Sequence, residues 1–116
     1  AMTDVTGFGL AGHVHAICKS SQLDANLWQD TIPVYAGARN LSLAGVSSVL
    51  MPSNREDMPV KGIEDELLYD PQTAGGLLAA VPKEFSNAVM DKLALKGCVG
   101  HIIGSLTEGS GLLSLS

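Results

Sequence analysis

The chain has 116 residues with 7 basic and 12 acidic side chains, and its net charge of −5 argues against a non-specific nucleic-acid binder, which needs a basic surface. An apolar fraction of 46% with only 4% aromatics predicts a single domain over residues 1–116 whose core is aliphatic and alanine-rich. Cys18 and Cys98 have neither metal-ligand spacing nor a disulfide framework and read as reduced thiols of a cytoplasmic protein, and no apolar run approaches the ~20 residues that a membrane-crossing helix requires.

In chain order, residues 3–13 come first: an acid between two threonines, then Gly7, Gly9 and Gly12, then the start of an apolar helix. The glycines have the G-x-G-x-x-G spacing, but no hydrophobic strand precedes them, so this is not a dinucleotide-binding fingerprint. Leu10, Val14, Ile17 and Cys18 recur at helical spacing and predict a first helix over 10–21, with Phe8 packed at its start. Residues 23–28 alternate and predict a short strand. Pro33 suits the first turn of a second helix over 33–43, with Gly45 as its left-handed stop.

Residues 46–62 are the least legible, and the polar, proline-punctuated run over 51–59 reads as a mobile surface loop. Residues 64–69 form either a helical turn or the start of a strand. Residues 70–76 are a loop by composition, and the apolar run 77–81 reads as a buried strand. A third helix begins near Pro82 or Lys83, carries Phe85, Val89 and Leu93 on one stripe, and ends at Lys96-Gly97. Strands over 100–106 and 111–115 follow, with 107–110 as a hairpin turn between them. This order predicts an α+β fold with a mixed sheet and packed helices, an α/β sandwich partly ferredoxin-like.

Few side chains suggest chemistry. Asp4 has two readings. It caps the first helix or takes the Thr6 amide, or it is a hard oxygen ligand suited to Mg²⁺, whose other ligands must then come from elsewhere. His13 lies at the margin of the buried helix face and reads as structural, His15 on the solvated face, and His101 within a strand. The glycines of 73–76 serve a turn or form a phosphate-facing nest of backbone N–H groups. Asn54 and Arg55 could reach a polyanion, but an exposed loop favours a solvated role. No catalytic nucleophile is paired with a base in this chain, and there is no phosphate-binding lysine loop.

Two stretches narrow the reading. Residues 1–13 and the run Asp70-Pro71-Gln72-Thr73-Ala74-Gly75-Gly76-Leu77-Leu78 resemble signature stretches of the selenophosphate synthetase (selenide, water dikinase) family, within the aminoimidazole ribonucleotide synthetase superfamily. The resemblance is to the carboxy-terminal domain and covers essentially the whole chain. Because the motif starts at once after Ala1, the chain reads as the carboxy-terminal piece of a longer two-domain enzyme.

The resemblance implies an enzyme that makes selenophosphate from ATP, selenide and water, releasing AMP and phosphate, with Mg²⁺ required. It implies an amino-terminal domain that binds most of the ATP and carries the reactive cysteine or selenocysteine and its lysine. The full-length enzyme would be a homodimer, with no nucleic-acid or membrane partner. Within this chain it implies Asp4 as a Mg²⁺ ligand, with Thr3, Thr6 and Gly7 near the ATP phosphates. Ala11 stands where that family often has a bulkier aliphatic side chain, and 46–62 matches it only loosely. The alternatives are another superfamily member, of thiamine monophosphate kinase or hydrogenase-maturation type, or a non-catalytic α+β ligand-binding module.

Overall fold

The structure, a computed structural model, describes residues 1–57, 60–61 and 65–116. Its organising element is helix α1 (Gly9–Ser21), which buries Ala11, Val14 and Cys18, positions spaced three and four apart on one face. That face packs on strand β2 (Leu23–Leu27) and on a 3-10 turn over Glu66–Tyr69. The turn from α1 into β2 is made at Gln22, in the left-handed region at φ 56°. Ala25 and Leu27 of β2, Met51, Leu68, Tyr69 and Leu113 complete an aliphatic core with a single aromatic side chain. Burial raises the pKa of the Cys18 thiol, and the nearby Asp24 charge adds to the effect. Cys18 is thus a packing residue, as its position on the helix suggested.

Two sheets form among the described residues. The smaller pairs β1 (Met2–Asp4) antiparallel with β4 (Leu77–Ala79). The larger has the order β3-β6-β2-β5, where β3 is Val60–Lys61, β5 is Gly104–Glu108 and β6 is Leu113–Leu115. In it, β2 runs antiparallel to β5 and parallel to β6. The fold is therefore α+β with a mixed sheet, as the element order predicted.

The hairpin expected at 107–110 does not form, because β2 lies between β5 and β6. The connection crosses the start of β2, where the Asp24 carboxylate accepts from the backbone N–H groups of Ser110, Gly111 and Leu112 at 2.8, 3.1 and 2.8 Å. His15 ties α1 to the same crossing through Nδ1 and the Gly111 carbonyl oxygen at 3.1 Å. His15 is therefore half-buried and partnered, not on a solvated face. The strand expected from residue 100 starts only at Gly104, which leaves His101 exposed outside it.

Three other expectations are corrected. The second helix, α2 (Ala38–Leu43), starts late because Gly37 at φ 83° breaks the right-handed run after Pro33. Its predicted stop holds: Gly45, at φ 89°, donates to the Ser42 carbonyl, and Val46 donates to that of Leu41. The run 51–57 is a helix, α3 (Met51–Asp57), with Met51 and Asn54 buried, where a surface loop was expected; residues 58 and 59 of that expectation lie outside the described residues. Pro52 fits the helix because it sits in the first turn, where no amide donor is missed. The run 77–81 is not a buried strand. It forms β4 over three residues of a two-stranded ribbon with one face on the core, so Leu78 is half-buried and Leu77 is 77% exposed.

The last helix, α4 (Ser86–Leu95), follows a 3-10 turn over Lys83–Phe85 and buries no residue fully. Val89 and Leu93 of the predicted stripe are half-buried, whereas Phe85 is exposed. The helix ends as expected, with Gly97 at φ 73° donating to the Ala94 carbonyl and Cys98 to that of Leu93.

Gly97 has open space where a Cβ would go, so only its backbone conformation resists substitution. Gly97→Val should therefore lower stability by about 1–2 kcal/mol, the cost of a left-handed residue with a side chain. Urea melts of the 116-residue chain check this, and an unchanged midpoint would refute it. In thiol labelling, Cys98 should react at once and Cys18 only on unfolding, since Cys98 is exposed and Cys18 is fully buried.

Candidate functional site

The two motif stretches, about seventy residues apart in sequence, meet along their backbones. Met2 pairs with Ala79, Thr3 with Leu78 and Asp4 with Leu77. The contact continues past the strands: Val5 donates to the Gly76 carbonyl at 3.0 Å, Gly75 to that of Val5 at 3.1 Å, and Gln72 to that of Thr6 at 3.0 Å. A Cβ on Gly75 would overlap the Val5 carbonyl, which accounts for a glycine there. Gly9, at φ 74°, lies with its Cα against the backbone of Leu68, Tyr69 and Asp70, where a Cβ would come within 2.8 Å of the Tyr69 carbonyl carbon. The close approach of Val5, more than a turn, thus keeps residue 75 a glycine, and its amide points at Val5 where a phosphate nest would need it free.

Asn54 fastens this seam from behind. It is 9% exposed, and its Nδ2 donates to the Gly7 carbonyl at 2.8 Å and to the Tyr69 carbonyl at 2.9 Å. The residue is buried and structural, not solvated on a loop. Arg55, next to it, pairs with Glu66 at 3.5 Å and lies 6.0 Å from the centre of the Tyr69 ring. Sequence reading missed Asn54 because a polar residue between prolines carries no sign of burial. The signal available was Met51 and Asn54 at helical spacing after Pro52 was allowed in a first turn.

Asp4 does not cap α1. The N-cap residue is Phe8 without a side-chain hydrogen bond, and the Thr6 amide is taken by His13 Nε2 at 3.1 Å. For Nε2 to accept that bond, the imidazole must be neutral with its proton on Nδ1. The Thr6 hydroxyl also lies 3.2 Å from Nε2, and the Phe8 ring covers His13 at 5.8 Å between centroids. His13 is thus a structural residue that closes the loop ahead of the helix, as its wheel position suggested. Phe8 itself is 64% exposed.

Among the described residues, the Asp4 carboxylate makes no hydrogen bond or ion pair, and Asp4 is exposed on the outer face of the ribbon. Cross-strand pairing sets Leu77 directly beside it, and Met2, two residues back, shares the same face. Met2 and Leu77 are 69% and 77% exposed, so an apolar surface flanks the carboxylate. Thr3 is half-buried, with its hydroxyl on the Asp4 carbonyl at 3.2 Å; Thr6 is half-buried against His13, and Gly7 is exposed with open space where a Cβ would go. The four residues singled out from the sequence therefore lie on one short segment. No group of three or more metal-ligating side chains occurs among the described residues, so Asp4 offers one hard oxygen ligand and no more. A Mg²⁺ site built from one or two carboxylates plus phosphate oxygens and waters is compatible with that single donor.

Residues 1–113 match the family described as AIR synthase related protein, C-terminal domain. The chain belongs to that family. The domain is 35% identical over 112 residues to "Selenide, water dikinase 2" of Peptoclostridium acidaminophilum, covering 90% of this chain and 32% of that protein. It is 39% identical over 119 residues to the selenide, water dikinase of Dechloromonas aromatica, covering 94% of this chain and 34% of the relative. The corresponding Escherichia coli O139:H28 protein is 37% identical over 122 residues, with 96% and 33% covered. The domain spans about a third of the length of the curated relatives it matches. No helix among its described residues is long and apolar enough to cross a membrane.

Gly9, packed against the seam, should respond differently from Gly7. Gly9→Ala should cost about 2–4 kcal/mol, from both left-handed strain and overlap with the 68–70 backbone. Gly7→Ala, with open space and no positive φ, should change stability by less than about 0.5 kcal/mol. Paired denaturant melts decide it, and equal effects would mean that the seam does not constrain Gly9.

Proposed function

We propose that this chain is the carboxy-terminal domain of a two-domain, ATP-dependent selenophosphate synthetase, and that Asp4 supplies one ligand to a Mg²⁺ ion at the ATP phosphates. The observation that carries the reading is the exposed, unengaged Asp4 carboxylate, held on a backbone seam within the motif stretch. The relatives' name, selenide, water dikinase, supports the reaction: ATP, selenide and water give selenophosphate, AMP and phosphate. Asp4 would hold Mg²⁺ there, and the ion would supply positive charge to offset that developing during phosphoryl transfer.

The chain's own residues have narrower tasks. The β1–β4 pairing holds the Asp4 backbone so that its side chain faces outward. Thr3 and Thr6 flank it, and Gly7 leaves room for close approach of a phosphate, since nothing among the described residues fills the space beside it. The apolar side chains of Met2 and Leu77 beside the carboxylate suit contact with an amino-terminal domain that would supply the remaining ligands and most of the nucleotide site. In this reading the 116-residue chain is inactive alone and the full-length enzyme is a cytoplasmic homodimer.

The test is Asp4→Asn in the full-length enzyme. Asparagine keeps the shape and removes the charge, and no bond of the Asp4 side chain is lost from the fold, so the melting midpoint should stay within about 1 kcal/mol of wild type. Selenide-dependent AMP formation should fall at least ~100-fold, or about 2.7 kcal/mol of transition-state stabilisation. Added Mg²⁺ should restore part of it, since a neutral amide is a weaker ligand for a hard dication. Near-normal turnover in a folded variant would refute the assignment of Asp4. AMP formation by the 116-residue chain alone, abolished by the same change, would refute the two-domain reading.

A further inference from the structure

We propose that Asn54 is a positioning residue for the Asp4 segment: its buried carboxamide fixes which way the Gly7–Phe8 peptide faces. Both neighbours of its side chain, the Gly7 and Tyr69 oxygens, are acceptors, so the amide nitrogen must be the atom that faces them. The two N–H groups of Nδ2 are then both used, one on the first motif stretch at Gly7 and one on Tyr69, the residue just before the second. No buried side-chain polar atom among the described residues lacks a partner, and Asn54 is the one carboxamide buried among them.

The consequence at Gly7 follows from the peptide plane. No cis peptide occurs in the described chain, so the C=O of Gly7 and the N–H of Phe8 point in opposite directions. Holding the Gly7 oxygen inward on Asn54 turns the Phe8 N–H outward, to the exposed side of the loop. Gly7 has no Cβ and, among the described residues, no neighbour where one would go, so Gly7 itself lets this peptide rotate, whereas Phe8, at φ −83°, resists being carried toward positive φ. The next local restraint is the Gly9-to-Thr6 backbone bond at 3.0 Å, which spans the peptide without gripping it. Asn54 lies on α3, outside both motif stretches, and ties the first of them to the residue that precedes the second through one side chain, to Gly7 across 47 residues and to Tyr69 across 15.

The inference rests on the reading above, in which the Asp4–Gly7 segment faces a metal-bound nucleotide. Its test compares Asn54→Ala, Asn54→Ser and Asp4→Asn in the full-length enzyme, at temperatures well below each melting midpoint. Loss of folded protein alone would lower kcat and leave KM as it was, because fewer identical sites would be counted. Loss of loop position should instead raise KM for Mg²⁺·ATP, by ~10-fold in Asn54→Ala and by less in Asn54→Ser, which keeps one hydroxyl donor. An unchanged KM in the folded variants, with Asp4→Asn inactive, would overturn this inference and leave the reading of Asp4 intact. Normal activity in Asp4→Asn would overturn both. Should neither Asn54 variant fold, the residue has no role separable from the core, and the inference falls as well.

Discussion

The peptide groups of Val5 and Gly75 face each other across the seam between the two motif stretches, and the arrangement of the site depends on that approach. Two hydrogen bonds, Val5 to Gly76 and Gly75 to Val5, fix the segment that carries Asp4 just where the β1–β4 ribbon ends. The approach is possible only without a side chain at residue 75, and Gly9 meets the same requirement against the 68–70 backbone. Both glycines therefore answer a packing demand between distant segments, which neither stretch reveals when it is read alone. Asn54 closes the arrangement on its buried side, where an unpaired Tyr69 carbonyl would otherwise lie out of reach of water.

What the sequence made legible was local. Helix α1, strand β2 and the glycine stops at Gly45 and Gly97 follow from periodicity and from the chemistry of helix ends, which act within a few residues. By contrast, 64–69 was open between a helical turn and a strand start and is a 3-10 turn over Glu66–Tyr69, residue 64 lying outside the described residues. What escaped was set by non-local contacts. Turn-forming residues after Glu108 show that the chain reverses, but not which strand lies between the two arms. That place is taken by β2, because the Asp24 carboxylate gathers three backbone N–H groups of the crossing. Helix α3 escaped because Pro52 looked like a breaker, although a first-turn proline misses no bond. The exposure of Leu77 escaped for a third reason: an apolar run reports a preference for burial, and a two-stranded ribbon offers the core one face only.

The candidate site was legible to a different degree. The resemblance drew attention to Thr3, Asp4, Thr6 and Gly7, and they lie together because they are consecutive or nearly so. Local reasoning could not choose between a helix cap and a ligand for Asp4. The structure removes the cap, since His13 takes the Thr6 amide and the α1 N-cap has no side-chain bond. Asn54 belongs to the same site and could not be found from motif residues, because it contributes from a different helix through two main-chain oxygens.

The division of labour within the seam explains how such a segment can be both fixed and available. Its pairing uses main-chain donors and acceptors almost throughout, so the outward side chains on β1 and β4 are not needed to hold it. Asp4 is exposed and free of bonds among the described residues, and Met2 and Leu77 beside it are left largely in solvent. A carboxylate held by its backbone alone keeps its full capacity to bind a cation, with no internal partner to displace first. The same design separates stability from chemistry: changes at the outer face touch few bonds of the fold, whereas changes at Gly9, Gly75 or Asn54 act on the seam itself. Effects on binding that arise at Asn54 would therefore pass through the main chain, by Gly7 into residues 5–9 and by Tyr69 along the second stretch to its pairing with Val5 and Asp4.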